Sequence, residues 1–421
     1  MDGGKAKNLD SIQVAIKLWR GYSLMLTALL IPFYPKFLTL LIVICFFLWL
    51  FEKKEESVKE NLLNNKPLLF LISFYLLHIV GLLWTSNFKY AGLDLQIKLP
   101  LLLFPLIFST KISIENISAK LVRLFNFSLL IAVLFCLLRS SWCYYENGIN
   151  LFFYKDFSFF VHPGYFSMFL CFGSASLLYN RLREQDSSML QKSSVMDWVM
   201  LVMFSFAILL LASKAGVFVQ LFLLSFGLIQ VIRKFVTENL KSILGLLLIL
   251  LCTIYFGLFS SLTSGRMNEL KTAVATESSH QVHSSGMRLQ AWQSAMELIA
   301  ENPILGSGTG DVKDKLIAVY QIKGFNEIFV LKLNAHNQFL QSFAGLGIFA
   351  FLLLTLTFGL AFSNSIKAGN LLLSAFIVIV VLNMMVEAVL EVTAGSVFIS
   401  FVFSLLVTDN KSVIDNQDGE S

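Results

Sequence analysis

Between residues 14 and 408 the chain keeps returning to apolar segments of about the length that crosses a bilayer. A spanning helix needs about 20 mostly apolar residues, with a range of roughly 17–25. This template places helices near 14–33, 37–51, 67–85, 97–109, 122–143, 162–179, 195–212, 215–232, 242–260, 336–362, 371–390 and 392–408. Composition agrees: of 421 residues, 56% are hydrophobic and only 14% charged, and the mean hydropathy is +0.73. Soluble domains carry about 25% charged residues, which excludes a globule with a large core. The expected fold is an all-α polytopic integral membrane protein of about twelve transmembrane helices. The second and fourth runs are short, so eleven or thirteen stay open. Pro100 and Pro105 make the fourth a broken or re-entrant piece.

Charge placement gives the orientation. With a cytoplasmic N-terminus, the inner side receives Lys53, Lys54, Lys59, Lys66, Lys111, Lys120, Arg123, Arg181, Arg183, Arg233, Lys234 and Lys241, among others. Short outer loops and helix ends receive only Lys36, Lys89, Lys98, Arg139, Lys155 and Lys214. Cytoplasmic loops are enriched in Lys and Arg, so both termini are expected inside. The net charge of +5 then reflects topology and implies no nucleic-acid partner. The first apolar stretch is interrupted by Lys17 and Arg20 and no A-x-A site follows, so it reads as a membrane helix and not as a cleaved signal. Cys45, Cys136, Cys143, Cys171 and Cys252 all sit in or beside apolar runs and form no disulfide or metal framework.

Three parts follow: helices 1–9 over residues 1–260, a long outer loop over 261–335, and the late helices with a cytoplasmic tail over 336–421. Within the loop, 272–286 is rich in Ser, Thr and His and resembles a flexible arm. Over 288–301, Trp292, Met296 and Ile299 fall at i, i+4, i+7 with Ala295 and Leu298 beside them, an amphipathic helix able to lie on the bilayer surface. Asn302-Pro303 ends it, and Gly306, Gly308 and Gly310 form a tight, mobile turn before a polar spacer.

Several helices running from outside to inside begin with polar or basic groups: His162-Pro163, Ser213-Lys214 and Asn334-Ala335-His336. Helix N-termini carry about half a positive charge and free N–H groups, so they attract anions. Lys214 and Arg288 strengthen that bias; the bland readings are a snorkelling lysine and an arginine on lipid headgroups. His336 opens a helix, where the positive end and nearby cations favour the neutral ring that accepts a proton. It suits a general base, the alternative being a capping histidine. Glu387 and Glu391 lie one turn apart near the outer end of the last hairpin, as sugar contacts or as a partner of Lys98. His280 and His283 lack a third ligand, GSGTG at 306–310 is not a P-loop, and no DxD pair stands in the loop to hold Mg²⁺. No cofactor or metal is expected.

LASKAG at 211–216, GMRLQAW at 286–292, ENPILGSGTGD at 301–311 and AHNQFLQSFAGLG at 335–347 together resemble the O-antigen ligase and polymerase superfamily of bacterial envelope glycosyltransferases. They follow that family's S-R-G segment, its R-x3-W…P-x2-G-x-G pattern and its H-N-x-F-L…G-x-G helix start. HPGYFS at 162–167 and LHIVGLLWTSN at 77–87 are similar to the version found in Bacteroidota. The resemblance implies a C-type membrane glycosyltransferase in the inner membrane, with its active site on the periplasmic face. The implied donor is a glycan on undecaprenyl diphosphate. The acceptor is lipid A–core in ligases, another lipid-linked repeat in polymerases, or a protein hydroxyl in a related branch. It also implies a metal-independent, inverting reaction with His336 as base. Lys214, Arg288 and Arg266 would hold the diphosphate; Lys214 stands where the family usually has Arg and so lacks its bidentate fork. Asn337, His162, Glu387, Glu391 and Trp292 are further candidates for acceptor or sugar contacts. The reading from another class is a transporter or flippase for an anionic lipid, in which the membrane carboxylates would be indispensable.

Overall fold

The computed structural model describes residues 2–33, 35–54, 57–112, 114–183, 195–235, 243–255 and 284–419. Every described element is helical, and no strand occurs among the described residues. In chain order the helices are α1 (Asp2–Leu30), α2 (Pro35–Phe51), α3 (Val58–Leu63), α4 (Lys66–Val80), α5 (Phe88–Lys98), α6 (Pro100–Phe108), α7 (Ile117–Asn147), α8 (Tyr154–Phe157) and α9 (Pro163–Arg183). They continue with α10 (Val195–Leu210), α11 (Lys214–Phe235) and α12 (Ile243–Tyr255). The last are α13 (Ser284–Glu301), α14 (Val312–Ile322), α15 (Asn326–Val330), α16 (Gln338–Lys367), α17 (Leu371–Met384) and α18 (Thr393–Gly419).

Sequence punctuation sets these starts. Asn87, Asn337 and Asn370 each accept a backbone N–H three residues on, capping α5, α16 and α17. Pro67, Pro100 and Pro163 sit in first turns, where a missing N–H costs nothing. Five segments are long and apolar enough to cross a membrane: Lys66–Trp84, Phe88–Phe108, Ile117–Asn147, Gln338–Lys367 and Thr393–Asn410. Five more apolar helices are shorter, among them Val195–Leu210 and Leu371–Met384. The protein is a polytopic membrane protein whose described elements are all helical. The fourth expected helix, near 97–109, is longer than expected: α5 and α6 meet at Leu99, whose backbone is itself helical, within a 21-residue span Phe88–Phe108. Pro100 opens α6 at the junction with α5, and Pro105 lies inside α6.

The chain divides into two units. The first comprises Met1–Leu121 and Val282–Ser421, the second Val122–Gln281. In the first, α4 packs along α16, α18 along α6, and α1 against α2. Buried Arg20 of α1 pairs with Glu52 at 3.0 Å and donates to Thr110 Oγ1 at 2.6 Å, tying α1 and α2 to the end of α6. In the second, α9 lies between α10 and α11. Gly216 permits the α9–α11 approach, because a Cβ there would fall 2.6 Å from Ser167 Cβ.

Residues 256–283 lie outside the described residues, and with them Arg266, His280, His283 and the expected flexible arm up to residue 283; its last three residues, Ser284–Gly286, are the helical start of α13. The described part of the long loop differs from expectation in three ways. The polar spacer contains two helices, α14 and α15. Their buried Val312, Leu316, Tyr320 and Ile328 form one core with Ala291, Ala295 and Leu298 of α13. The face of α13 that packs against α14 and α16 carries Ala291, Ala295, Leu298 and Ile299. Of the expected stripe, Ile299 is buried in this core with Ala295 and Leu298 beside it, Trp292 is half-buried, and Met296 is exposed.

The glycine turn is likewise buried and fastened rather than mobile. Ser307 N and Gly308 N donate to the carbonyls of Ala344 and Gly345, and Ile348 N donates to that of Pro303. These bonds fill the ladder where α16 kinks at Leu346 and Gly347. Thr309 Oγ1 donates to His78 O at 2.7 Å, and Asp311 accepts from Ser86 N and Asn87 N at 2.7–3.1 Å. A Cβ at Gly310 would stand 2.1 Å from Asn87 O, and one at Gly347 2.0 Å from Ile304 O.

Candidate functional site

The site collects at the entry to α16. Helix α16 starts at Gln338 with Asn337 as its cap, so His336 lies two residues ahead of the helix and does not open it. Its backbone is left-handed, φ 45°, a conformation that costs about 1–3 kcal/mol in a non-glycine residue unless its surroundings fix it. Four hydrogen bonds do so. His336 N donates to Asn334 Oδ1 at 3.0 Å and Ala335 N to Gln341 Oε1 at 3.0 Å. Trp292 Nε1 donates to His336 O at 3.3 Å. The imidazole Nδ1 lies 3.1 Å from Glu387 Oε2.

Glu387 is not on a helix. Helix α17 stops at Met384, and the carboxylate sits in the turn before the 3-10 segment Val389–Glu391. It faces two cationic or protonatable groups, since Arg288 Nη2 of α13 is 3.9 Å from the same Oε2. A carboxylate on Nδ1 fixes the ring and leaves Nε2 with the lone pair when Nδ1 carries the proton. Arg288 keeps a third of its side chain exposed (34%), so a guanidinium fork remains open to an oxyanion.

Other expected contacts are placed differently. Asn337 spends its Oδ1 on Leu340 N and its Nδ2 on Met385 O at 3.0 Å. Glu391 is buried and bonded internally: Lys98 Nζ at 2.9 Å and Gln338 Nε2 at 3.3 Å both reach its Oε1. Its expected pairing with Lys98 holds. Burial pushes the Glu391 carboxyl above its ordinary range, with Lys98 pulling the other way. Lys98 is accordingly no outer-loop lysine; it lies inside the Phe88–Phe108 span beside Asp94. Sequence reasoning passed over Asp94, Gln338 and Gln341, and named Asn334 only as part of a helix start. The signal available was Asp94 and Lys98 at i, i+4 inside an apolar run.

In the second unit, Lys214 is the exposed first residue of α11, after Ser213, whose Oγ accepts from Gly216 N at 3.2 Å. His162 precedes α9, and its Nδ1 accepts from Gly164 N at 3.3 Å. Both thus stand at helix starts, as their sequence context requires.

Residues 199–355 match the O-antigen ligase family model. The matched segment includes Lys214, Arg288, Trp292, the glycine turn and His336; Glu387 and Glu391 lie beyond it. No curated protein matches the chain. This segment is therefore similar to the O-antigen ligase family.

Proposed function

We propose that the protein transfers a glycan from undecaprenyl diphosphate to a hydroxyl of lipid A–core at the periplasmic face of the inner membrane, with His336 as general base. The observation that carries this reading is His336 held on Glu387 beside a partly exposed Arg288, with His336 and Arg288 in the segment that matches the O-antigen ligase family model. The acceptor oxygen attacks the anomeric carbon while His336 Nε2 takes its proton. The bond from that carbon to the diphosphate oxygen breaks, and the configuration inverts. Negative charge grows on the departing undecaprenyl diphosphate, where Arg288 stabilises it. One such donor contributes about 3 kcal/mol by analogy with oxyanion sites. Glu387 keeps the ring oriented and offsets the imidazolium that forms. Lys214 and Arg266 are further candidates for the diphosphate, each tested by its own alanine variant. Trp292 and His162 remain candidates for glycan contact. A transporter reading gains nothing from Glu391, which is already satisfied by Lys98 and Gln338.

The test mixes purified protein with undecaprenyl-diphosphate-linked glycan and lipid A–core, with EDTA present. Transfer to core by the wild type, lost in His336→Ala and Arg288→Ala, is the expected result. Lengthening of the lipid-linked glycan without transfer to core makes the protein a polymerase. Full activity in His336→Ala removes the general-base assignment.

A further inference from the structure

A chain of buried polar groups runs through the first unit without taking any part in the chemistry proposed above. His78 of α4 bonds Phe74 O at 2.8 Å through Nδ1, and its Nε2 lies 3.9 Å from Asp94 Oδ2. Lys98 bonds Asp94 on one side and reaches Glu391 Oε1 at 2.9 Å on the other. Gln338 Nε2 donates to that same Oε1 and to Ser342 Oγ, while its Oε1 accepts Leu390 N at 2.7 Å. Lys98 is 1% exposed and Gln338 0%.

Charges in such surroundings cost several kcal/mol each, and apolar residues of similar volume would often be as stable. A geometric requirement explains their presence. The 385–391 turn bears Glu387, has only one short 3-10 segment of its own, and is tied to residues 336–338 by side chains alone. Asn337 holds Met385 O, His336 meets Glu387, and Gln338 holds Leu390 N and Glu391. Glu391 is the far anchor of that turn, and Lys98 is the group that holds its Oε1.

We propose that Lys98 is a positioning residue: through Glu391 and Gln338 it sets the 385–391 turn, and so the Glu387 carboxylate that orients the His336 ring. The proposal rests on the reading of His336 as the base. Lys98 touches no substrate, and its effect is on the rate of the chemical step rather than on donor affinity.

The test uses the full-length protein in lipid nanodiscs, labelled with ¹⁵N at its five histidines. The ring signals of His336 are assigned by their loss in His336→Ala. Lys98→Met and Gln338→Leu are expected to shift those signals and to lower kcat about 10²-fold, the scale of a small misplacement of a catalytic group. The donor KM is expected to stay within about threefold, because binding common to ground and transition states is untouched. Glu391→Gln keeps the acceptor oxygen and is expected to retain both the signals and most of the activity. Unchanged ring signals with unchanged kcat in Lys98→Met overturn the proposal, whatever the yield of folded protein. Where Lys98→Met does not fold, the uncharged Gln338→Leu decides by the same two readouts. Transfer that survives in His336→Ala would instead remove the base assignment, and the ring-signal shift would still report positioning.

Discussion

Glu387 shares one oxygen between His336 Nδ1 at 3.1 Å and Arg288 Nη2 at 3.9 Å, so a single carboxylate sets both groups. Replacing it by Gln keeps the size and removes the charge that orients and offsets the imidazolium. Glu387→Gln is expected to lower kcat by about 10²–10⁴-fold, the usual worth of general-base assistance, with little change in donor KM. Steady-state kinetics on the purified protein check this. Sequence reading named both residues but paired them only through the structure, since 51 positions separate them and Glu387 was expected on a helix one turn from Glu391. The expectation failed because Asn383 accepts Val386 N and Glu387 N through its carbonyl and α17 closes there. His336 was expected to open a helix because the apolar pattern of α16 begins there, while its backbone turns left-handed ahead of the Asn337 cap.

The glycine turn and the kink of α16 act as one joint, and its predictions are about stability. Gly310→Ala and Gly347→Ala each place a Cβ within 2.1 Å of a backbone oxygen. Each is expected to cost about 1–3 kcal/mol and to lower the melting temperature in detergent. Gly359→Ala, where a Cβ meets nothing within 4 Å, is the tolerated control. Asp311→Ala leaves Ser86 N and Asn87 N without their carboxylate and is expected to cost about 1.5–3 kcal/mol by the same measurement. Sequence reasoning located these glycines and Asn302-Pro303, since glycine and proline punctuate any chain. It assigned mobility because local composition says nothing of what lies alongside: here the kinked ladder of α16 and the turn at Ser86-Asn87. Helices α14 and α15 were missed for a related cause. Their apolar residues are few and their exposed faces polar, so only packing on α13 makes them stable.

The whole-molecule expectation is topological. The 261–335 segment is proposed to face the periplasm and the short connections rich in Lys to face the cytoplasm. In a variant lacking the five native cysteines, Ile322→Cys is expected to react with an impermeant maleimide added to cells with a permeabilised outer membrane. Lys59→Cys is expected to stay unlabelled until the inner membrane is opened. The reverse pattern would place the site on the cytoplasmic side and remove the proposed donor. Orientation also bears on the reaction, because a lipid-linked glycan meets Arg288 and His336 only from the side on which they are exposed.

Composition and the length of the apolar runs determined by themselves that this is a multi-helix membrane protein, because a bilayer leaves a hydrophobic 20-residue segment few alternatives. Caps and prolines set the helix starts, since those signals act over three or four residues. The tertiary structure alone decided which groups meet. Glu387 with His336, Lys98 with Glu391, and Asp311 with the Ser86-Asn87 turn are contacts across 51, 293 and 225 positions or nearly so. Such pairings depend on how whole helices pack, and no local pattern carries that information.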